Sequence, residues 1–487
     1  MNKAVLVVLI ALAVRLVLAT WSGLGIDESY MVAASTRFAS SYFDHPLAAW
    51  WLELGARHLF GSAAPLVVRL PFLLLSAVSS WLLYLITKRL FGRQAAFWAV
   101  VAYSIAPVFS LAFGVWVLPD GPLDAALLVF LYALIRALGL PNAEPEPGWW
   151  VLAGLFAGLA MLSKYNAGLV LTGASMAVLL DPAGRRQLTR FWPWLGVVVA
   201  VALTTPIIIW NLQHHWISFD YQGGRALGLR LRPLMMLSIW GGEALYVLPW
   251  LWAPMIWLML RGLRAGPAKR VDWLLAWAGL LPVLLFALIG LWAQTRILYH
   301  WAAPGYLMLL PLLGDWATRQ SPRMIKIAAL ASGGLLAAAA LLIALLTQCG
   351  LPTWLAHGFK PGKSPMLQAM DWTSIARDLP PGIQAVAAQR WFDAGKIGYA
   401  LRRDGIALPV TVFGEAPHQF AITTPPSSLL GKTILLIAMP GSPAQSYDQF
   451  APDFASLKPG PDLRVMDHGT TLLTIPTFIG IDLRKAP

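Results

Sequence analysis

Charged residues are scarce in this chain, so each one beside an apolar run asks for a reason. Asp27 and Glu28 stand together after the first apolar run, in Gly25-Ile26-Asp27-Glu28-Ser29-Tyr30. Two adjacent acids at a membrane boundary are costly unless solvated or used. Asp27 reads either as a cap on a helix N-terminus or as a general base that takes a proton from an acceptor hydroxyl. Ser41-Tyr42-Phe43-Asp44-His45-Pro46 follows. Pro46 suits the first position of a helix, and Pro46–Phe60 reads as an amphipathic helix lying in the membrane interface. Asp44 is then either its cap, with His45 solvated, or a metal ligand beside an imidazole that meets phosphate.

Asp120, in Pro119-Asp120-Gly121-Pro122 with Asp124 a turn later, has the ordinary reading of a turn residue or cap. Lys164 sits between two apolar runs and marks either a tight external turn or a buried cation aimed at an anionic ligand. The segment Asn211–Pro233 holds His214, His215, Asp220, Tyr221, Gln222, Arg225, Arg230 and Arg232. Arginines here run against the expected charge bias of external loops. They fit an anionic partner such as a lipid phosphate, or headgroups in general. Arg296, Tyr299, His300 and Trp301 repeat the theme near a later external end.

The elements that must position these residues are membrane spans. Of 487 residues, 58% are hydrophobic and only 12% charged, too few charges to coat a large globule. The 24 Trp fit membrane interfaces. A net charge of +13 would suggest nucleic acid in a soluble protein; here many Lys and Arg lie in short loops between apolar runs, as the positive-inside rule has it. Runs long enough to span are Ala4–Trp21, Pro65–Thr87, Ala95–Val115, Pro122–Leu138, Trp149–Ser163, Tyr165–Leu180, Phe191–Trp210, Leu234–Leu260, Trp273–Leu291, Trp301–Trp316 and Ile325–Leu346. That makes about eleven spans, with up to about thirteen admissible. The first is read as a retained signal-anchor.

Basic clusters at Lys88, Arg89 and Arg93, at Arg185, Arg186 and Arg190, at Arg261, Arg264, Lys269 and Arg270, and at Arg319, Arg323 and Lys326 all fall on one side, which should be cytoplasmic. The expected fold class is therefore mainly α: a polytopic transmembrane bundle over 1–348, with juxtamembrane helices in an external loop at 22–64. The tail, 349–487, is rich in Pro, Gly and polar residues, with strand-like runs at Pro409–Phe413 and Thr433–Ala438. It should be a small extracytoplasmic α/β domain. The lone Cys349 excludes an internal disulfide and a Cys-based zinc site. No Walker loop, Rossmann glycine pattern or zinc-protease motif is present, which argues against ATP- or NAD-driven chemistry in the chain itself.

In their order, Asp27-Glu28-Ser29-Tyr30, Tyr42-Phe43-Asp44-His45-Pro46-Leu47, Gly61, Val68-Arg69-Leu70-Pro71, Pro119-Asp120-Gly121-Pro122, Leu162-Ser163-Lys164-Tyr165, Trp210-Asn211-Leu212-Gln213-His214-His215-Trp216 and His300-Trp301-Ala302-Ala303-Pro304-Gly305-Tyr306 resemble polytopic glycosyltransferases of the C superfamily. The likeness is to lipid A aminoarabinose transferases and bacterial protein-mannosyltransferase-like enzymes, over about the membrane part; the tail matches loosely. It implies transfer of a sugar from a polyprenyl-phosphate carrier to a lipid or glycan acceptor on the extracytoplasmic face of the cell inner membrane. It implies Asp27 as the catalytic carboxylate and general base, inversion being the stereochemical expectation, and Asp120 as a second active-site carboxylate. His45, Lys164, Arg225 and Arg296 are then expected on donor phosphate, and Glu28, Tyr42, Tyr221 and His300 on substrate. Asp44 is the expected acidic residue of a divalent-metal site. His45 stands where aminoarabinose transferases carry Lys, which would make phosphate binding pH-dependent. The region Asp220-Tyr221-Gln222 lacks the His that relatives carry there, so the metal set is short of a ligand.

Two other functions compete. A flippase or transporter of lipid-linked sugar also needs charges at membrane depth, but it predicts inverted repeats and broken helices, and no paired halves are visible. A membrane scaffold gives no reason for Asp27, Asp44 and Asp120 at one membrane face.

Overall fold

The apolar runs fold as helices because a backbone in lipid must satisfy its own hydrogen bonds. The structure, a computed structural model, describes residues 3–224, 231–293, 297–350, 352, 358, 364, 366–438 and 443–486. Its helices of eight or more residues are α1 (Lys3–Trp21), α2 (Ile26–Ala34), α3 (Ala48–Phe60), α4 (Pro65–Phe91), α5 (Arg93–Ile105), α6 (Asp120–Ala137), α7 (Trp149–Ser163), α8 (Ala167–Leu180), α9 (Phe191–Gln213), α10 (Ile217–Gly224), α11 (Pro233–Val247), α12 (Pro249–Ala265), α13 (Arg270–Ile289), α14 (Ala303–Ala317), α15 (Pro322–Cys349), α16 (Trp391–Arg403) and α17 (Pro443–Phe450), with shorter helical segments between them. Among the described residues five helical stretches are long and apolar enough to cross a bilayer, or up to seven when two bent pairs count as one span each. The protein is a multi-pass membrane protein.

Most expected spans have a helix at the expected place, with instructive departures. Ala95–Val115 is not straight: α5 and the segment Val108–Val115, which begins as a π-helical turn, meet at 76°. Pro107 lies in the break, and a proline disfavours helical geometry in the residue before it. Leu234–Leu260 is divided at Leu248, whose φ is +81°, immediately before Pro249. The interfacial helix starts at Ala48 rather than Pro46, two residues later than expected.

The chain forms two compact units. The first comprises Met1–Arg15, Ala39–Ala49 and Phe72–Ala339. Its core is a continuous apolar cluster running through α5, α6, α8, α13 and α14, with Phe109, Leu127, Ala174, Leu275 and Tyr306 among its fully buried members. Arg15 is buried here, despite lying inside the first apolar run. It donates from Nε to the Ser110 carbonyl at 2.9 Å and from Nη1 to Ser76 Oγ at 3.2 Å. A cation at membrane depth is thus turned into protein, not lipid.

The second unit comprises Leu16–Phe38, Trp50–Pro71 and Ala340–Pro487. Its tail carries β1 (Ala385–Ala388), β2 (Val410–Val412), β3 (Ile434–Ile437), β4 (Phe454–Pro459), β5 (Leu463–Asp467), β6 (Thr470–Ile475) and β7 (Thr477–Leu483). One sheet has the order β2-β1-β3-β7-β4, its first three strands parallel and the last two antiparallel additions; β5 and β6 pair separately. The all-buried patterns of β1 and β3 are those of central parallel strands covered on both faces. α16 makes the crossover between the parallel neighbours β1 and β2. The expected strands at 409–413 and 433–438 are β2 and β3.

Candidate active site

Asp27 and Glu28 are neighbours with opposite fates. α2 begins after Gly25, which is its N-cap, and Glu28 at the third helical position accepts from the Gly25 N–H at 2.8 Å. The capping reading therefore belongs to Glu28. Glu28 is buried, and Arg69 grips it as a fork: Nε to Oε1 at 2.8 Å and Nη2 to Oε2 at 2.6 Å. Glu28, expected on substrate, thus accepts from Arg69 and from the Gly25 N–H. Asp27 is exposed on the same turn.

Arg69 does more than pair with Glu28. Nη1 donates to the Ala19 carbonyl at 3.1 Å, the Ser22 carbonyl at 2.9 Å and Ser22 Oγ at 3.0 Å, and Nη2 to the Gly23 carbonyl at 2.8 Å. These oxygens belong to the end of α1 and the turn leading to Asp27. Helix C-terminal carbonyls lack intrahelical donors, and a planar guanidinium with five N–H groups can serve several at once. The sequence shows Arg69 only as a charge inside an apolar run; its burial was the missing information.

In the first unit, Lys164 and Asp120 form a buried ion pair. Nζ lies 2.8 Å from both Asp120 oxygens. Asp120 opens α6, and Lys164 occupies the extended residue between α7 and α8. Lys164 is thus a buried cation in a short turn, paired with the chain's own Asp120. Asp124, one turn beyond Asp120 on α6, is also buried, and neither of its oxygens has a hydrogen-bond partner. Two carboxylates therefore share the neighbourhood of one ammonium. His300 is near enough to Lys164 to feel its charge, and stands edge-on to Phe113 with centroids 6.0 Å apart.

A second set of expected residues also meets within the first unit. Ser218 of α10 donates to the Tyr42 carbonyl at 3.1 Å, and Gln222 donates to the Asp44 carbonyl at 2.7 Å. The rings of Phe43 and Tyr221 pack at 5.0 Å. Tyr42, Asp44 and Tyr221 are thus brought together by α10 closing on the segment before α3, with His45 half-buried beside them. Among the described residues no three His, Cys, Asp or Glu side chains converge as a metal set. Arg225 and Arg296 lie outside the described residues.

Residues 44–210 match the family described as dolichyl-phosphate-mannose-protein mannosyltransferase. The chain is 27% identical over 286 residues to the lipid A galacturonosyltransferase RgtD of Rhizobium johnstonii, covering 58% of each chain. It is 29% identical over 214 residues to the lipopolysaccharide core galacturonosyltransferase RgtB of the same species, covering 42% of this chain and 41% of that one. It thus spans 58% and 41% of the length of these two curated relatives. The fold is similar to that of ArnT from Cupriavidus metallidurans, with a TM-score of 0.65 at 18% identity over 97% of both chains. That enzyme's structure is also known bound to undecaprenyl phosphate. The resemblance to C-superfamily glycosyltransferases is borne out.

Proposed function

We propose that this protein transfers a sugar from a polyprenyl-phosphate carrier to a lipid or glycan acceptor at the extracytoplasmic face of a bacterial inner membrane, with the C-terminal domain in the periplasm. The observation that carries this reading is the division of labour between Asp27 and Glu28. Glu28 does the structural work of the turn, which leaves Asp27 exposed on a helix held from beneath.

The chemistry follows from those roles. Asp27 accepts the proton of the acceptor hydroxyl. The hydroxyl oxygen attacks the anomeric carbon from the side opposite the carrier, the bond from that carbon to the phosphate oxygen breaks, and the anomeric configuration inverts. Polyprenyl phosphate leaves with the bonding electrons. It is a good leaving group, so no strong general acid is required. Cations neutralise the charge gathering on it; Lys164 and His45 are the candidates in the described part of the chain, and Arg225 and Arg296 those outside it. Asp120 holds Lys164 in place. Tyr42, Tyr221 and His300 are candidate contacts to sugar or acceptor. Asp44 remains a candidate ligand should a divalent ion take part.

The galacturonosyltransferase relatives and the aminoarabinose transferases that the sequence resembles suggest the first donors to try: undecaprenyl-phosphate galacturonate and undecaprenyl-phosphate aminoarabinose, with lipid A as acceptor. The cellular test compares envelope lipids and glycans by mass spectrometry in cells with wild type, Asp27→Asn and no protein. Loss of the same sugar mass in the null and Asp27→Asn cells is expected. Loss only in the null would make Asp27 dispensable and favour movement of the lipid-linked sugar over its transfer.

A further inference from the structure

We propose that the C-terminal domain positions the catalytic helix, through a glycine seam on α16 that sets where α2, and with it Asp27, is held. The inference rests on the reading of Asp27 as the base.

Within the second unit, α16 serves both ends of α2. At the N-terminal end Lys396 is buried and donates to the carbonyl of Leu24, just before the helix, and to those of Gln368 and Met370 at 2.9 and 3.0 Å. The Leu24 N–H in turn donates to Asp371 Oδ1 at 2.8 Å. At the other end Arg402 donates to the carbonyls of Ser35 at 2.8 Å and Ala33 at 3.1 Å. Those are terminal carbonyls with no helical donor, at the negative end of the helix dipole. A helix of nine residues has little stability of its own, so such external ties decide where it lies.

Between the ends the two helices nearly touch. A Cβ at Gly395 would fall 2.8 Å from Tyr30 Cα, and one at Gly398 would fall 2.8 Å from Ala33 Cβ. Tyr30 is enclosed by Trp50, Trp391, His418 and Phe420, at centroid distances of 5.7, 5.1, 6.0 and 5.7 Å. Its hydroxyl accepts from the Gln419 N–H at 2.9 Å. Each glycine inside α16 costs about 1 kcal/mol of helix propensity relative to alanine. Their presence at the two positions facing α2 is accounted for by the close approach.

Gly398→Ala separates positioning from mere packing. Alanine strengthens α16 intrinsically, yet its methyl displaces α2 by up to about 1 Å, a misplacement that can cost about 100-fold in turnover. The assay uses the purified full-length protein, lipid A and whichever of the two undecaprenyl-phosphate donors supports turnover. Positioning predicts a kcat at least about 10-fold down with donor KM within about 2-fold. Ala33→Gly in the same chain removes the opposing methyl and should restore kcat to within about 3-fold. Wild-type kcat in Gly398→Ala, or a loss that Ala33→Gly does not repair, would overturn the proposal. Asp27→Asn is measured alongside: if it turns over normally, the base assignment fails, whatever the seam variants do.

Discussion

Replacing Arg69 by Lys keeps the charge and removes the geometry, which makes it an informative change in the turn below Asp27. The guanidinium makes six hydrogen bonds, two to Glu28 and four to Ala19, Ser22 and Gly23. An ammonium has three protons at one point and cannot reproduce a fork. At least half of the bonds are lost, in a place where Arg69 and Glu28 have side-chain exposures of only 1% and 3%. Each buried acceptor left unpaired costs about 1–3 kcal/mol, so the total is on the order of 4 kcal/mol. The melting midpoint of purified protein in detergent should fall by about 5 °C or more. Turnover should fall by about 10-fold or more, because α2 begins just past the clamped turn. Glu28→Gln should act in the same direction, and the double variant should lose less than the sum. A melting midpoint within about 1 °C of wild type, with turnover unchanged, would refute the argument that this fork holds the turn.

Asp120 and Asp124 should behave differently although they lie one turn apart. Asp120→Asn leaves Lys164 buried without its counter-charge and should destabilise by about 3–5 kcal/mol and abolish transfer, whereas Asp124→Asn removes a carboxylate with no hydrogen-bond partner and should leave the melting midpoint unchanged or higher. Thermal melting and transfer assays on both variants decide this, and a lower midpoint for Asp124→Asn contradicts it. Burial pushes Lys396 down to about 8 from the ordinary 10.5, against the opposing pull of Asp371 and Glu28 and with the repulsion of Arg69. Between about pH 8 and 10.5 the unfolded chain then holds a proton that the native chain lacks, so this group's contribution to stability rises with pH across that window. Melting curves at stepped pH should show the rise in wild type and lose it in Lys396→Met; an unchanged profile in the variant removes Lys396 as its source.

The membrane class and most span positions were legible because lipid imposes one rule on every residue of a span, and composition records it. Breaks were less so. Pro107 and Pro249 were visible, but a proline in an apolar run is compatible with either a kink or an end. The strands at 410–412 and 434–437 announced themselves by short strand-like runs, and both are buried. At the site, Asp120 and Lys164 stood out because charge beside apolar sequence is conspicuous. Their pairing was not, since the partners are 44 positions apart and nothing local selects one acid over another. Residue type and local sequence did not tell Asp27 from Glu28, and the resemblance gave Glu28 to substrate; the position of Arg69 and the start of α2 at Ile26 show its part in the turn. The roles of Lys396 and Arg402 went unread because the tail's sequence gives no sign of what its helix touches. Gly395 and Gly398, spaced at one helical turn, were the available signal.

The central claim is that Asp27 is the base of a transfer from a polyprenyl-phosphate donor. It is tested most directly by purified wild-type and Asp27→Asn proteins given labelled undecaprenyl-phosphate sugar and lipid A, with label in the acceptor followed over time. The account predicts transfer by wild type and a rate reduced by at least about 100-fold in Asp27→Asn, with donor binding retained. Equal rates in the two proteins would contradict it.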